Sequence, residues 1–351
     1  MSDLADIKAL LQARIEPLVR ELAPEGKRNG AYWIAKNPAR DDRMAGSFWV
    51  VIAGTAAGAW RDEATGQKGD VLSLVRHCQQ LMSIKDALKW SRHWLGLEDL
   101  DPAVLERRKK QIARYHQRAA VDQEKKLFKK RRRAFSVWLN CWEKLDGTAA
   151  QRYLLTRGID ITKLTSQPRA LRFAPNMDHI GADSARTRWP CIVARMENLE
   201  GNEMAIHRTW LVKDGSDKAP VVPPRKIWPS FRGLAIKLAR GKTELPVKAA
   251  AARGMRDTLV LCEGIEDGLS VAIARPDLRV WAAGSLGNLQ HIKIPACARD
   301  VIVCADNDWG KPQAEKLLKH ALQELSAQGV PVHVARSPIG KDANDALRGM
   351  A

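Results

Sequence analysis

The sequence predicts a multidomain chain of the α/β and α+β classes. A C-terminal, mostly parallel sheet is expected, with a β-rich region before it and a small N-terminal domain of hairpin and helices. Three observations predict this. Toward the C-terminus, short apolar runs without alternation are interleaved with helical patterns, which is how strands covered on both faces read. In the middle, "RWPCIVARMENLEGNEMAIHRTW" reads as two strands around the turn "LEGNE". Near the start, "SFWVVI" and "GAWRDE", joined by "AGTAA", read as a β-hairpin with two helical stretches behind it.

Taken in order, the hairpin is followed by "GQKGD" and then by "DVLSLVRHCQQL", a helix for which Asp70 is the expected N-cap. "SIKDALKWSRHWLGL" is the second helix. Trp33, Trp49 and Trp60 are expected to supply this domain's core. The next segment is strongly basic. Residues 101–140 hold 13 Lys/Arg against 4 Asp/Glu, half of the chain's formal net charge of +18. They read as a long helix, interrupted near Ala119 to Asp122. A run containing Lys129, Lys130, Arg131, Arg132 and Arg133 is either a solvated linker or a phosphate-binding surface, and a pI near 9.8 favours a polyanionic partner.

"GTAAQRYLLTRGID" then reads as a helix stopped at Gly158, ahead of the two β-strands. "ARGKTE" near Gly241 lacks the first glycine of a phosphate-binding P-loop at the required spacing.

The last region delivers carboxylates to strand ends. Thr258 to Cys262 is a short apolar run that stops at Glu263 and Gly264. Ile265, Leu269, Ala272 and Ile273 then mark one face of a helix. "RVWAA" is a second run, closed by "GSLGN", and "DVIVCA" a third, ending in Asp306, Asn307 and Asp308. On an extended backbone Asp306 and Asp308 point to the same side. An amphipathic stretch from Lys311 to Gln328, a fourth run "VPVHVA" and then "GKDANDAL", with Asp342 and Asp345, complete the chain. Several strands thus bring carboxylates to one sheet edge, where ligands bind in open α/β sheets. Like charges crowded together are costly unless a cation compensates them, and oxygen donors suit Mg²⁺ or Mn²⁺ better than zinc.

Composition narrows the function further. The six cysteines show no Cys-x-x-Cys spacing and read as reduced core thiols. No apolar stretch reaches the roughly 18 residues of a membrane helix, so a soluble, cytoplasmic protein without membrane contact is expected.

Residues 256–351 resemble a Toprim domain, the Rossmann-like catalytic module of bacterial-type primases, type IA and II topoisomerases and some nucleases. The resemblance rests on Glu263-Gly264, on Asp306 and Asp308, and on the trailing Asp342 and Asp345. It implies that Glu263 is an acid/base or metal-proximal carboxylate and that Asp306 and Asp308 are the principal metal ligands. Asp342, Asp345 and Asp267 are implied as further acidic positions. Residues 1–98 resemble the zinc-ribbon domain of primases with its metal-binding cysteines missing, so no zinc is expected. Residues 99–146 form the basic linker. Residues 147–255 are similar to the primase region that precedes Toprim, whose basic residues face the carboxylates; the matching cations are Arg208, Lys218, Arg225, Lys226 and Lys237.

The order is that of DNA primases of phages and mobile elements. It implies a nucleotidyltransferase that makes short RNA primers on a single-stranded DNA template from NTPs with Mg²⁺, beside a separate replicative helicase. A Toprim nuclease would use the same carboxylates with water as nucleophile, and a non-catalytic DNA-binding accessory protein is the third reading. Tyr32, Tyr115 and Tyr153 all lie before the β-rich region, which leaves a topoisomerase without a placed nucleophile.

Overall fold

The computed structural model describes residues 4–42, 44–97, 102–181, 184–307 and 310–349, with residues 102–109, 111–113, 115, 116 and 119 described by backbone alone. The chain divides into two compact units, Met1–Lys126 and Leu127–Ala351. Among the described residues no helix is long and apolar enough to cross a membrane.

The first unit opens with α1 (Leu4–Ala13) and α2 (Ile15–Leu22). Strands β1 (Lys27–Asn29), β2 (Tyr32–Ala35), β3 (Phe48–Val51), β4 (Trp60–Asp62) and β5 (Lys68–Gly69) follow, and then α3 (Val71–Cys78) and α4 (Ile84–Trp94). The strands form one antiparallel sheet in chain order. The hairpin expected from "SFWVVI" and "GAWRDE" is β3 with β4, Phe48 pairing with Asp62. Asp70 caps α3 as expected, its carboxylate accepting the Ser73 N–H at 2.9 Å. Trp33 and Trp60 enter the core with Phe48, Leu18 and Leu72. Trp49 does not. It lies between the buried residues Phe48 and Val50 on β3, so strand alternation turns it to the other face, where it meets Tyr32 edge-on at 5.5 Å.

Helix α5 (Pro102–Leu139) is continuous through residues 119–122, where an interruption was expected. Its sequence there, "AAVD", contains neither Gly nor Pro, and alanine is the best helix former, so nothing breaks the hydrogen-bond ladder.

The second unit continues through α6 (Ala149–Thr156), β6 (Leu171–Ile180), β7 (Arg186–Glu197), β8 (Met204–Trp210), β9 (Arg225–Trp228) and β10 (Ile236–Arg240). Next come α7 (Val247–Ala252), β11 (Asp257–Cys262), α8 (Ile265–Ala274), β12 (Arg279–Ala282) and α9 (Leu286–Leu289). β13 (Ala298–Ala305), α10 (Pro312–Ser326), β14 (Val332–Arg336) and α11 (Ala343–Arg348) end it. Gly158, expected to stop α6, adopts a φ of 72° two residues beyond it.

Strands β6 to β9 form an antiparallel sheet in chain order, covered on both faces. Ile192, Ala194 and Met196 of β7 pack with Tyr153 and Leu154 of α6. Cys191 and Val193, of the other parity, pack with Ala134 and Trp138 from the last turns of α5. The end of the basic helix is therefore anchored in the core of this unit.

The second sheet has the order β10-β12-β11-β13-β14, with β10 antiparallel at one edge and the other pairings parallel. This is the mostly parallel sheet the sequence predicts. Leu259, Leu261, Val301 and Val303 face Leu318, Ala321 and Leu325 of α10, while Val260 and Val280 face Ala272 of α8. Each fully buried leucine among them contributes about 1.5–3 kcal/mol relative to exposure. From β11 the chain goes to β12 on one side and then to β13 on the other. The reversal opens a crevice at the carboxyl ends of β11 and β13, the usual ligand position in such sheets.

Candidate active site

Cys262 and Cys304 are register partners at the ends of β11 and β13, so Glu263 and Asp306 emerge beside one another. Both line one small cavity, with Leu286, Cys304 and Glu315. Gly264 is extended, at φ −101° and ψ 165°, so its lack of a side chain is a matter of space. A Cβ at this position would come within 2.9 Å of Asp267 Oδ2. The glycine after Glu263 lets the chain pass close to a second carboxylate.

Asp267, in the first turn of α8, accepts the Asn344 N–H at 3.3 Å. Burial, then the negative charges of Asp342, Asp306 and Glu266, push its pKa up to about 7. Those charges bring Asp267, Asp306 and Asp342 into one electrostatic neighbourhood. Asn307 stitches the end of β13 to the following loop, its N–H donating to Lys341 O at 2.7 Å and its amide to Ser337 O and Gly340 O at 3.0 Å. The Lys341 ammonium stands 3.1 Å from Asp306 Oδ2. Asp342 caps α11, accepting the Asp345 N–H at 2.9 Å, and Asp345 turns back to the Lys341 N–H at 2.9 Å.

Asp308 lies outside the described residues. Among the described residues no three His, Cys, Asp or Glu side chains are grouped closely enough to hold a metal ion. The carboxylate oxygens of Asp267, Asp306 and Asp342 suit a hard divalent cation in chemistry. The neighbouring Cys262 thiol is held protonated, its pKa raised by its hydrogen bond with Cys304, by burial and by Asp267 and Asp306.

On its other side Glu263 borders a cavity of about 310 Å³ that also meets His207, Arg225, Lys226, Phe231 and Gly284. Arg225 and Lys226 come from β9, and the Lys226 ammonium donates to Ile180 O at 2.5 Å. Behind them lies Glu266, 9% exposed. It accepts the Tyr153 hydroxyl at 2.9 Å and pairs with the Lys218 ammonium at 3.4 Å. Burial alone would raise the pKa of Glu266, but Lys218, Arg225 and the Tyr153 hydroxyl outweigh it and keep the carboxyl ionised. Burial, reinforced by Arg225, Arg208 and Lys218, lowers His207 to about 4, so this histidine is neutral.

The expected cations do not all gather here. Lys218 is held by Glu266. Arg208 shares its strand parity with Ile206 and Trp210, which places it on the face toward α5, its guanidinium 5.0 Å from the Trp210 ring. Lys237 pairs with Glu197 at 2.9 Å and lines a different cavity. On α5, Lys129, Lys130, Arg132 and Arg133 are exposed, whereas Arg131 is half-buried and pairs with Glu203 at 2.5 Å. Glu266, Tyr153 and His207 are additions to the site that sequence reasoning did not assign. A signal existed for Glu266: it precedes Leu269 by three residues and Ile273 by seven, the spacing of the buried helical face.

Parts of the chain are similar to known families and solved structures. Residues 258–350 match the model of the Toprim domain, so this part of the chain is a Toprim domain. Residues 128–238 match a second model, described as "Domain of unknown function (DUF7146)". No curated protein matches the chain. Among solved structures it is similar to the primase fragment of the bacteriophage T7 primase-helicase protein, at 18% identity and a TM-score of 0.35 over 56% of this chain and 69% of that one. A DNA primase domain from Pseudomonas aeruginosa matches at 16% identity and a TM-score of 0.41, over 62% of this chain and 74% of that one. The DnaG catalytic core matches at 16% identity and a TM-score of 0.41, over 64% and 75% respectively.

Proposed function

We propose that the chain is a DNA primase-like nucleotidyltransferase that joins ribonucleotides into short RNA primers on single-stranded DNA, with Mg²⁺ or Mn²⁺ as cofactor. One observation carries the reading: Glu263 stands between Asp306 on one side and Arg225 and Lys226 on the other. That juxtaposes a cation-seeking edge with a triphosphate-seeking one, as phosphoryl transfer requires. Asp306 and Asp308 would hold the cation, with Asp267 and Asp342 nearby, and when bound it would supply positive charge to offset that of the triphosphate.

The protein's own groups do the rest. Arg225 and Lys226 bind the triphosphate. The 3′-oxygen attacks the α-phosphorus, pyrophosphate leaves, and Glu263 accepts the hydroxyl proton. Glu266 positions Arg225 and Lys218 without touching substrate. The exposed cations of α5, Lys129, Lys130, Arg132 and Arg133, bind template phosphates.

Incubation of the protein with single-stranded DNA, labelled NTPs and Mg²⁺ tests the proposal. New short RNA is the expected product. Shortened DNA would instead identify a nuclease, and no change in either nucleic acid would identify an accessory DNA-binding protein.

A further inference from the structure

A third cavity, of about 380 Å³, opens toward the other end of the mostly parallel sheet. Its lining includes Arg279, the first residue of β12, and Arg240, the last residue of the antiparallel β10, which are register partners. Leu259 of β11 pairs with Arg279. From that level to Glu263 the strand runs four residues, or about 13 Å.

The charge balance of this lining is positive. Arg279 is neutralised by the buried Asp257 at 2.7 Å. Arg195 and Lys237 share one carboxylate, Glu197, at 3.1 and 2.9 Å. Arg169 and Arg240 have no carboxylate partner among the described residues, although Glu244 also lines the cavity. Partial desolvation, and then the positive charges of Arg169 and Arg279, depress the pKa of Arg240 although the residue is exposed, the mark of guanidinium groups crowded without enough counter-charge.

Trp281, 2% exposed, forms part of the buried wall. The lining also has an apolar part, Leu164, Leu238, Pro246, Val247 and Pro276, beside the polar Thr165, Ser166 and Gln167. The volume falls within the range of about 300–1,000 Å³ typical of small-molecule sites and exceeds what a lone phosphate fills.

We propose that this cavity is a second, metal-independent binding site for a nucleoside polyphosphate, with the phosphates on Arg169 and Arg240 and the base against the apolar lining. It stands apart from the carboxylate edge and does not depend on the primase reading.

Titration calorimetry of the full chain with ATP in EDTA tests it, using wild type, Arg169→Ala/Arg240→Ala and Asp306→Asn. Wild type and Asp306→Asn should bind ATP equally without metal, and the double variant at least tenfold more weakly. Both arginines are exposed, so the double variant should melt like wild type; Arg240→Gln alone, with a smaller loss, supplies a second reading. Undetectable ATP binding by wild type in EDTA, or wild-type affinity in the double variant, would overturn the proposal. An oligodeoxythymidylate titration separates the sources of phosphate. The double variant should bind the oligonucleotide normally, and loss of that binding with ATP affinity intact would assign the arginines to nucleic acid instead.

Discussion

The Tyr153 hydroxyl donates to Glu266 Oε1 at 2.9 Å, so a residue of α6 helps hold the buried carboxylate that anchors Lys218 three residues after the candidate catalytic Glu263. Tyr153→Phe removes one hydrogen bond and should cost about 1 kcal/mol. Glu266→Gln keeps the shape but leaves Lys218 and Arg225 without their counter-charge, and should cost on the order of 2 kcal/mol. Urea unfolding of the two variants measures the difference. If Glu266→Gln is no worse than Tyr153→Phe, the carboxylate does not anchor the cations.

His207 gives stability a pH signature. Its pKa falls from the ordinary 6.5 to about 4 in the folded protein. As pH drops, the unfolded chain takes up this proton before the folded one does. The associated stability is therefore present above pH 6.5 and lost as pH falls from there to about 4, up to about 3 kcal/mol. Subtracting the stability profile of His207→Gln from that of wild type isolates it, and a difference independent of pH would contradict the assignment.

The basic helix should separate into two kinds of cation. Neutralising Lys129, Lys130, Arg132 and Arg133 should weaken binding to single-stranded DNA and flatten its salt dependence by about 0.7 per lost phosphate contact. Arg131→Ala should instead lower stability, because Arg131 pairs with Glu203 against the sheet. Equal salt slopes for wild type and the fourfold variant would leave the exposed face a solvated surface.

Crowding of carboxylates predicts opposite effects of one substitution with and without metal. Asp267→Asn removes a buried charge repelled by Asp342, Asp306 and Glu266. It should raise the melting temperature in EDTA and reduce the further rise produced by Mg²⁺. A melting temperature in EDTA lower than wild type would show that Asp267 is held by its contact with Asn344 rather than strained by its neighbours.

Much of this site was legible because local patterns set it. The apolar run into Cys262, the carboxylate at Glu263 and the glycine beside Asp267 define β11, the turn and α8 without knowledge of any partner. Parity on β8 also carried information, since Arg208 alternates in step with Ile206 and Trp210 and so belongs to their face. Pairings across distant segments were not legible. Lys218 is claimed by Glu266 of α8, and Lys237 by Glu197, which a bridge to Ala235 brings beside β10. Nothing in a linear pattern fixes those contacts. The continuity of α5 was a matter of propensity, set by the absence of Gly and Pro.

Primer synthesis by Glu263→Gln is the most direct measurement, read as label from NTPs appearing in short RNA on single-stranded DNA with Mg²⁺. Gln keeps the size and hydrogen-bonding capacity of the side chain but cannot accept the proton of the 3′-hydroxyl. The rate should fall by about two or more orders of magnitude relative to wild type, while DNA binding stays at the wild-type level. Near-normal primer synthesis by the folded variant would contradict the placement of the active site at the ends of β11 and β13.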